Sequence, residues 1–159
     1  MNFRIGSSTD IHRLEEGYDL ILGGVKIEHP KGLVGHSDAD CLLHAVSEAL
    51  IGAMGLGDLG MHFSDTDPSI KGIDSGKILE KVKEMLFENQ YQIANIDSLV
   101  LCERPKLAPH KEQMKNNIAK ILEISPTQVN VKATRGEKLG FIGKEEGIVA
   151  EATVLIYKK

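Results

Sequence analysis

The sequence predicts an α/β fold in which helices cover a mixed β-sheet. Segments with alternating apolar side chains, typical of strands, are interspersed with segments whose apolar side chains recur at helical spacing. Two strand-like segments follow each other near the N-terminus, which indicates a hairpin and hence some antiparallel pairing. The length of 159 residues suits one domain, so we expect a single domain over residues 1–159.

The first part of the chain is predicted to form two strands and a helix. Residues 3–12 and 19–29 alternate as strands do, and a glycine pair interrupts the second strand, which suggests a turn or bulge. Ser37 is expected to cap a helix that ends near Met54, because apolar side chains follow it at helical spacing.

The remainder alternates between helices and strands after a loop over residues 55–73, where glycine and aspartate are frequent. The predicted elements are a helix that begins at Asp74 or Ser75, a strand over residues 96–102, a helix over 111–122, and strands over 129–133 and 148–157. This alternation, combined with the N-terminal hairpin, favours a mixed sheet over an all-parallel one.

Composition and charge exclude several classes of protein. Lys and Arg total 19 against 23 Asp and Glu, and Trp is absent, so we do not expect sequence-independent nucleic-acid binding. Long apolar runs and a signal-peptide core are absent, so we expect no membrane span and no secretion. Two cysteines are too few for a disulfide framework, which favours a cytoplasmic location.

Asp10, His12 and His44 form a candidate metal site. Asp10 and His12 are two residues apart on a predicted strand, so their side chains share one face, and His44 lies on the predicted helix. One carboxylate and two imidazoles leave a fourth position open, as in catalytic zinc sites, although an isolated Asp-x-His pair is more often an exposed strand. Cys41 is a competing ligand three residues before His44, but a small cysteine also packs readily beneath a helix.

Two glycine-rich segments resemble nucleotide-binding motifs, but we do not interpret either as a nucleotide site. Residues 55–60 match G-x-G-x-x-G, yet they follow a predicted helix instead of a strand. Residues 72–78 imitate a phosphate-binding loop, but they are one residue short and have Ile78 where Ser or Thr must reach magnesium.

Five motifs in order along the chain resemble the 2-C-methyl-D-erythritol 2,4-cyclodiphosphate synthase family. They are residues 36–40 with His44, residues 57–60 with His62, Phe63 and Asp65, Pro105 with Lys106, residues 132–134, and residues 137–141. The resemblance covers essentially the whole chain. It implies conversion of 4-diphosphocytidyl-2-C-methyl-D-erythritol 2-phosphate to the cyclic diphosphate, with release of CMP, in non-mevalonate isoprenoid synthesis.

The implied reaction is an intramolecular attack of the substrate's 2-phosphate on its β-phosphorus. Because this nucleophile is already ionised, the protein must fold a polyanion and neutralise charge, without a general base. By resemblance, one zinc ion per subunit binds Asp10, His12 and His44, and Glu137 holds a second cation, magnesium or manganese, on the diphosphate. His36 and Arg135 are the implied catalytic stabilisers of the transferring phosphate.

The resemblance also implies a set of substrate contacts, in which residues 102–108 bind cytosine and residues 132–137 clamp the diphosphate. The Gly- and Asp-rich segment 61–73 is typical of a mobile solvated loop, and we expect it to be mobile and to act as a lid. The set is Asp10, Ile11, His12, His36, Ser37, Asp58, Leu59, Gly60, Phe63, Asp65, Cys102, Pro105, Lys106, Leu107, Ala108, Thr134, Arg135, Glu137, Phe141 and Lys144. Within it, Asp58 and Gly60 are expected at the ribose and Asp65 at the erythritol.

The resemblance also implies an oligomeric state, and the sequence departs from the family pattern at two positions. A homotrimer is expected, in which the clamp comes from the neighbouring subunit. Arg135 stands where the family commonly has a second threonine, and it either replaces a hydroxyl donor by a charged fork or points away. Lys144 stands where Arg is common, which puts in doubt an axial hydrophobic channel for an isoprenoid diphosphate, although Phe141 remains to line it.

Two other functions stay open at the level of sequence. A zinc-dependent phosphohydrolase would use the same ligands, with bound water as nucleophile and a base to activate it. A non-catalytic trimeric metal-binding protein would need a fourth protein ligand, for which Cys41 is the nearby candidate.

Overall fold

A five-stranded mixed sheet forms the framework of the computed structural model, which describes residues 2–158. The strands are β1 (Asn2–Glu16), β2 (Leu20–Leu22), β3 (Val25–Ile27), β4 (Lys31–Leu33), β5 (Gln92–Leu101), β6 (Val129–Thr134) and β7 (Gly147–Lys158). The large sheet has the order β4-β1-β7-β5-β6, and all neighbours are antiparallel except β5 and β6. The predicted mixed sheet is therefore confirmed.

Helices pack on one face of this sheet and enclose a continuous apolar core. They are α1 (Cys41–Met54), α3 (Ser75–Glu88) and α4 (Lys111–Leu122), while the short helices α2 (Leu59–His62) and α5 (Gly140–Gly143) lie in connecting segments. Helix α1 packs against β1 and β7, α4 packs against β6, and α3 packs against both helices. Within residues 2–158, none of the helices combines the length and apolar character needed to cross a bilayer.

Helix α1 approaches β1 unusually closely. A Cβ atom at Gly6 would lie 1.9 Å from the Ala49 carbonyl oxygen, so any larger residue would force the helix away from the strand. The helix is buried on nearly every side, including Leu42, Leu43 and Leu50. This close packing places the first turn of α1 beside the inner face of β1.

The cap of α1 differs from the prediction. Ser37 is not the N-cap; Asp40 is, and its carboxylate accepts a hydrogen bond from the Leu43 amide. The same carboxylate accepts from the amides of Gly23 and Gly24 at 2.9 and 2.7 Å, in the turn of the β2–β3 hairpin. Sequence pattern alone offers several residues before α1 that can serve as a cap. Asp40 is selected because its carboxylate also binds the hairpin turn, sixteen residues away, and this contact is visible only in the folded chain.

Most other predicted elements are present with shifted ends. The predicted hairpin between residues 3–12 and 19–29 is wrong, because β1 pairs with β4 and β7. The second segment instead folds back on itself as the β2–β3 hairpin, with its turn at the predicted glycine pair. Asp74 caps α3 as one of the two expected positions. Strand β1 runs to Glu16 and β5 begins at Gln92, both beyond the predicted ends. The sequence analysis missed β4, α2 and α5, because three or four residues are too few to show a period.

Candidate active site

Asp10, His12 and His44 converge where α1 meets β1. His12 Nε2 lies 2.9 Å from Asp10 Oδ2, and His44 Nδ1 lies 3.3 Å from the same oxygen. One ligand atom from each residue lies within 4.8 Å of the others, so the three side chains could hold a metal ion together. Strand alternation places the first two on one face, and the close packing of α1 supplies the third.

The hydrogen bonding of this cluster fits a metal ion better than an ordinary ion pair. Asp10 Oδ2 is buried and receives no well-oriented hydrogen bond in the described part of the chain, although two imidazole nitrogens lie close to it. A buried carboxylate oxygen without a partner is costly, and a cation at the convergence point would satisfy it. His12 Nδ1 lies 2.8 Å from the Val34 carbonyl, to which it can only donate, so Nε2 keeps its lone pair for a metal.

Electrostatics keep the carboxylate of this cluster charged. Burial raises the pKa of Asp10, but the close imidazoles of His12 and His44 outweigh burial and lower the pKa to about 2. Burial alone would lower the pKa of His12, but Asp10 raises that pKa above its usual value. The carboxylate ligand is therefore charged and ready for a cation at neutral pH.

A close backbone approach determines where His12 can lie. A Cβ atom at Gly35 would be 3.0 Å from His12 Cε1 and 2.9 Å from the Ala39 Cβ. Glycine therefore lets the 34–37 segment pass directly behind the imidazole. The same segment carries His36 and Ser37 into the site.

A cavity of about 280 Å³ opens above the metal cluster and collects most predicted residues from the first half of the chain. Its lining includes the cluster together with His36, Ser37, Leu59, Gly60, Phe63 and Asp65. Ile70, from the segment predicted to be a lid, also lines it. The Gly72 amide donates to the His36 carbonyl at 2.8 Å, so this segment lies against the site.

Two predicted contacts of this half lie beside the cavity. Asp58 caps α2, where its carboxylate accepts from the Met61 amide at 3.1 Å. The Ile11 side chain is 58% exposed on the opposite face of β1, so only its backbone is near the metal cluster.

Glu48 is a site residue that the sequence analysis missed. Its carboxylate accepts a hydrogen bond from the Ser8 hydroxyl at 2.5 Å and another from the Leu59 amide at 3.1 Å. Glu48 thereby ties the start of α2 to both α1 and β1. Its helical position beneath the glycine-rich 55–60 segment was the only signal, and it needed the tertiary fold to be recognised.

A second cavity, of about 440 Å³, collects the predicted cytosine residues and part of the clamp, without Glu137. Its lining includes Cys102, Pro105, Lys106, Leu107, Ala108, Thr134 and Arg135. The Cys102 thiol donates to the Arg104 carbonyl, and burial raises the pKa of Cys102 to about 12, so the thiol is neutral. The two cavities have no lining residue in common.

The sheet register explains why the two cavities are separate. Asp10 pairs with Ala150, Ala150 with Val100, and Val100 with Ala133, so β1 and β6 are three strands apart. Three strand spacings amount to roughly 14 Å. Thr134 follows Ala133 and therefore points to the opposite face of the sheet from Asp10.

The clamp turn is held by its backbone and presents its side chains outward. Glu103 accepts hydrogen bonds from the amides of Gly136 and Lys138 at 2.8 and 3.3 Å. Glu137 and Lys138 both adopt the left-handed region, with φ of 52° and 63°. Glu137 and Arg135 are exposed, and Arg135 forms no ion pair within the described residues.

Three remaining predicted residues lie outside both cavities or in the core. Phe141 borders a separate cavity beside Ile11, and Lys144 is exposed at the end of α5. Cys41 is fully buried, burial raises its pKa well above the usual value, and it is not part of the convergent ligand cluster. The packing interpretation of Cys41 therefore fits better than the ligand interpretation.

Comparison with known proteins agrees with this geometry. The model of the YgbB family matches residues 3–157. The chain belongs to the YgbB family. A Lysinibacillus sphaericus relative named 2-C-methyl-D-erythritol 2,4-cyclodiphosphate synthase is 55% identical over 157 residues, covering 99% of each chain. A Geobacillus relative with the same name is 56% identical, again over 99% of each chain.

Solved structures extend the YgbB likeness to the fold. The bifunctional IspDF of Campylobacter jejuni matches with a TM-score of 0.95 and 38% identity, and covers 99% of this chain. The present chain spans 43% of that longer protein. A Plasmodium falciparum IspF in complex with CDP matches with a TM-score of 0.87 and 32% identity, over 99% of this chain and 97% of that one.

Proposed function

We propose that this chain is a 2-C-methyl-D-erythritol 2,4-cyclodiphosphate synthase, a lyase of the non-mevalonate isoprenoid pathway. It converts 4-diphosphocytidyl-2-C-methyl-D-erythritol 2-phosphate to the cyclic diphosphate with release of CMP, after attack of the 2-phosphate on the β-phosphorus. The observation that carries the proposal is the convergence of Asp10, His12 and His44 in a chain more than half identical to relatives of that name. CDP-bound structural neighbours support a small cytidine nucleotide as substrate.

Two metal ions complete the proposal. Asp10, His12 and His44 would hold one zinc ion per subunit, which supplies Lewis-acid stabilisation of a diphosphate oxygen. Glu137 would hold magnesium or manganese together with substrate phosphates, because these ions prefer oxygen ligands. The exposed carboxylate of Glu137 and the buried, orphaned oxygen of Asp10 support this division between a weak and a tight site.

The chain's own residues bind and orient the polyanion. His36 and Ser37 line the cavity above the metal cluster, where His36 stabilises charge on the transferring phosphate and Ser37 donates to a phosphate oxygen. Leu59, Gly60, Phe63 and Asp65 surround the sugar and erythritol portions in the same cavity. Asp58 contributes from the cap of α2.

The nucleotide end is bound by the second cavity. The segment 102–108 takes the cytosine, and Lys106 and Thr134 approach the phosphates from the same cavity. Arg135 has no ion pair of its own within residues 2–158, which leaves its guanidinium for the diphosphate.

Assembly as a homotrimer would unite the two cavities. Asp10 and Thr134 are three strands apart on opposite faces of one sheet, which supports a complete site built from the metal half of one subunit and the nucleotide half of its neighbour. The exposed apolar side chains of Phe3, Ile5 and Ile11 on β1 support burial of this sheet face between subunits. The cytoplasmic location and a channel beside Phe141 and Lys144 stay predictions.

The two other functions are less well supported. A metal-binding scaffold needs a fourth protein ligand, and the convergent cluster of described residues does not include Cys41. A phosphohydrolase would need a base to activate water. It is also less well supported because the relatives at 55 and 56% identity are named as cyclodiphosphate synthases.

A direct assay distinguishes these functions. The protein is incubated with the diphosphocytidyl substrate, zinc and magnesium, and the products are followed by phosphorus NMR. We expect CMP and the cyclic diphosphate in equal amounts. Zinc-dependent release of inorganic phosphate or of a linear product would instead identify a hydrolase, and no turnover would favour a binding protein.

A further inference from the structure

His44 faces the metal cluster with one ring nitrogen and a pair of serines with the other. Its Nδ1 lies near Asp10, whereas its Nε2 lies 2.8 Å from Ser75 Oγ and 3.1 Å from Ser37 Oγ. Ser75 is fully buried as the first residue of α3. The sequence analysis expected a helix to begin at Asp74 or Ser75 but gave Ser75 no part in the site, and the proposed reaction does not use it.

Asp38 lies directly behind Ser75. One carboxylate oxygen of Asp38 accepts a hydrogen bond from the Ser75 hydroxyl, and the other accepts from the Ser75 amide at 3.0 Å. An ionised carboxylate can only accept, so the single hydroxyl proton of Ser75 is directed to Asp38. Towards His44, Ser75 Oγ can therefore only accept, which requires a proton on Nε2 and leaves a lone pair on Nδ1.

We propose that Ser75 and Asp38 are positioning residues that fix the tautomer and ring orientation of His44, so that Nδ1 is presented to the metal ion. The inference rests on the proposed metal site and adds the chain of groups that holds one of its ligands. Partners of this kind behind a ligating histidine typically contribute 10- to 100-fold in metal affinity.

The same geometry determines the direction in which the Ser37 hydroxyl donates its proton. Its oxygen already accepts from the Ala39 amide at 3.2 Å and lies within reach of His44 Nε2–H. Both interactions use the lone pairs of Ser37, so its own hydroxyl proton is free to be donated to a substrate phosphate. Asp38, Ser75 and His44 thus orient Ser37 as a donor as well as His44 as a ligand.

The test measures zinc affinity of the folded apo-protein by competition with a chromophoric chelator. We expect Ser75→Ala to weaken zinc binding by roughly 10- to 100-fold. Asp38→Asn should weaken it less, because the amide oxygen of Asn still accepts from the Ser75 hydroxyl, although less strongly than a carboxylate does. Asp38→Asn should add little in the Ser75→Ala background, because the hydroxyl through which Asp38 reaches His44 is then absent and only its contacts to the Ser75 and Asp40 amides remain. Ser47→Ala is the matched control, because Ser47 is equally buried on α1 and its hydroxyl has no partner among the described residues.

A spectroscopic measurement separates positioning from general destabilisation. The visible bands of the Co²⁺-loaded protein report the ligand geometry, so they should change in Ser75→Ala and stay unchanged in Ser47→Ala. Zinc affinity and cobalt spectra of Ser75→Ala equal to those of Ser47→Ala would overturn the inference, as would additive effects of the two substitutions. His44→Ala distinguishes failure of the metal site from failure of the positioning role. If His44→Ala keeps zinc, the proposed metal site is wrong. If His44→Ala loses zinc and Ser75→Ala does not, only the positioning role is wrong.

Discussion

The candidate site has a metal half and a nucleotide half, and a single chain fixes the side chains of the first more completely than those of the second. The metal half lies between α1 and the inner face of the sheet, where buried contacts fix Asp10, His12 and His44 against one another. The nucleotide half lies across the sheet, where Arg135 and Glu137 are exposed. The difference teaches that one folded chain fixes the geometry of the metal half by itself, whereas Arg135 and Glu137 of the clamp are exposed and have no ion-pair partner among the described residues.

The physical origin of this difference is the way each half is held. In the metal half, hydrogen bonds end on the functional side chains themselves, as from His12 to the Val34 carbonyl. In the clamp, Glu103 binds the backbone amides of Gly136 and Lys138, which orders the turn, while Arg135 and Glu137 stay exposed and form no ion pair among the described residues. Substitutions should therefore act on zinc content in one half and on reaction rate or second-metal demand in the other.

The largest expected effect is loss of the metal half on removal of one ligand. His44→Ala or His12→Ala should abolish tight zinc binding and activity while the chain still folds, because two remaining ligands cannot hold zinc. Zinc content after dialysis, together with circular dichroism, measures this. Cys41→Ser is the control and should keep its zinc; equal loss in that variant would show that the ligand set is wrong.

Mixing two inactive variants tests whether the halves come from different subunits. Asp10→Ala lacks the metal half and Glu137→Ala lacks the clamp, so each should be inactive alone. Refolded together in equal amounts, they should recover about a quarter of wild-type activity, because random closed assembly pairs one intact half of each kind at that frequency. Sedimentation should show trimers, and confirmed mixed trimers without activity would place both halves within one subunit.

Arg135 should show an intermediate effect confined to the nucleotide half. If its guanidinium faces the diphosphate, it contributes a charge-assisted contact of ~1.5–3 kcal/mol. Arg135→Ala should then slow the reaction by roughly ten- to a hundred-fold, with zinc content unchanged. Lys120→Ala, which removes an exposed positive charge on α4, should leave the rate near wild type. An unaltered rate in Arg135→Ala would mean that the side chain points to solvent.

The smallest expected effect is a shift in the demand for the second metal. Glu137→Gln keeps the size of the side chain and removes its charge, so half-maximal activity should require about tenfold more magnesium or manganese. Zinc content should not change, because the zinc ligands lie in the other half. Glu112→Gln on α4 provides the matched control. A magnesium requirement equal to that of the wild type would remove Glu137 as the ligand of the second ion.

Local pattern predicted the parts of the site that depend on one element. Asp10 and His12 share a face because side chains alternate along a strand, and the structure places both on the inner face of β1. Ser37 shows the limit of local pattern, since Asp40 caps α1 while its carboxylate also binds the hairpin turn. Glu48 and Glu103 were invisible for the same reason, because each acts on backbone amides distant in sequence.

The sequence by itself determined the mixed fold, the faces of its strands and helices, and the residue types needed for a metal and a nucleotide, because periodicity and donor chemistry are local properties. Tertiary structure decided which residues meet. His44 reaches Asp10 because Gly6 lets α1 lie against β1, and Ser75 reaches His44 across 31 residues because α3 begins there. Two strands lie between β1 and β6, so the nucleotide half lies away from the metal half, and strand order is set by long-range pairing.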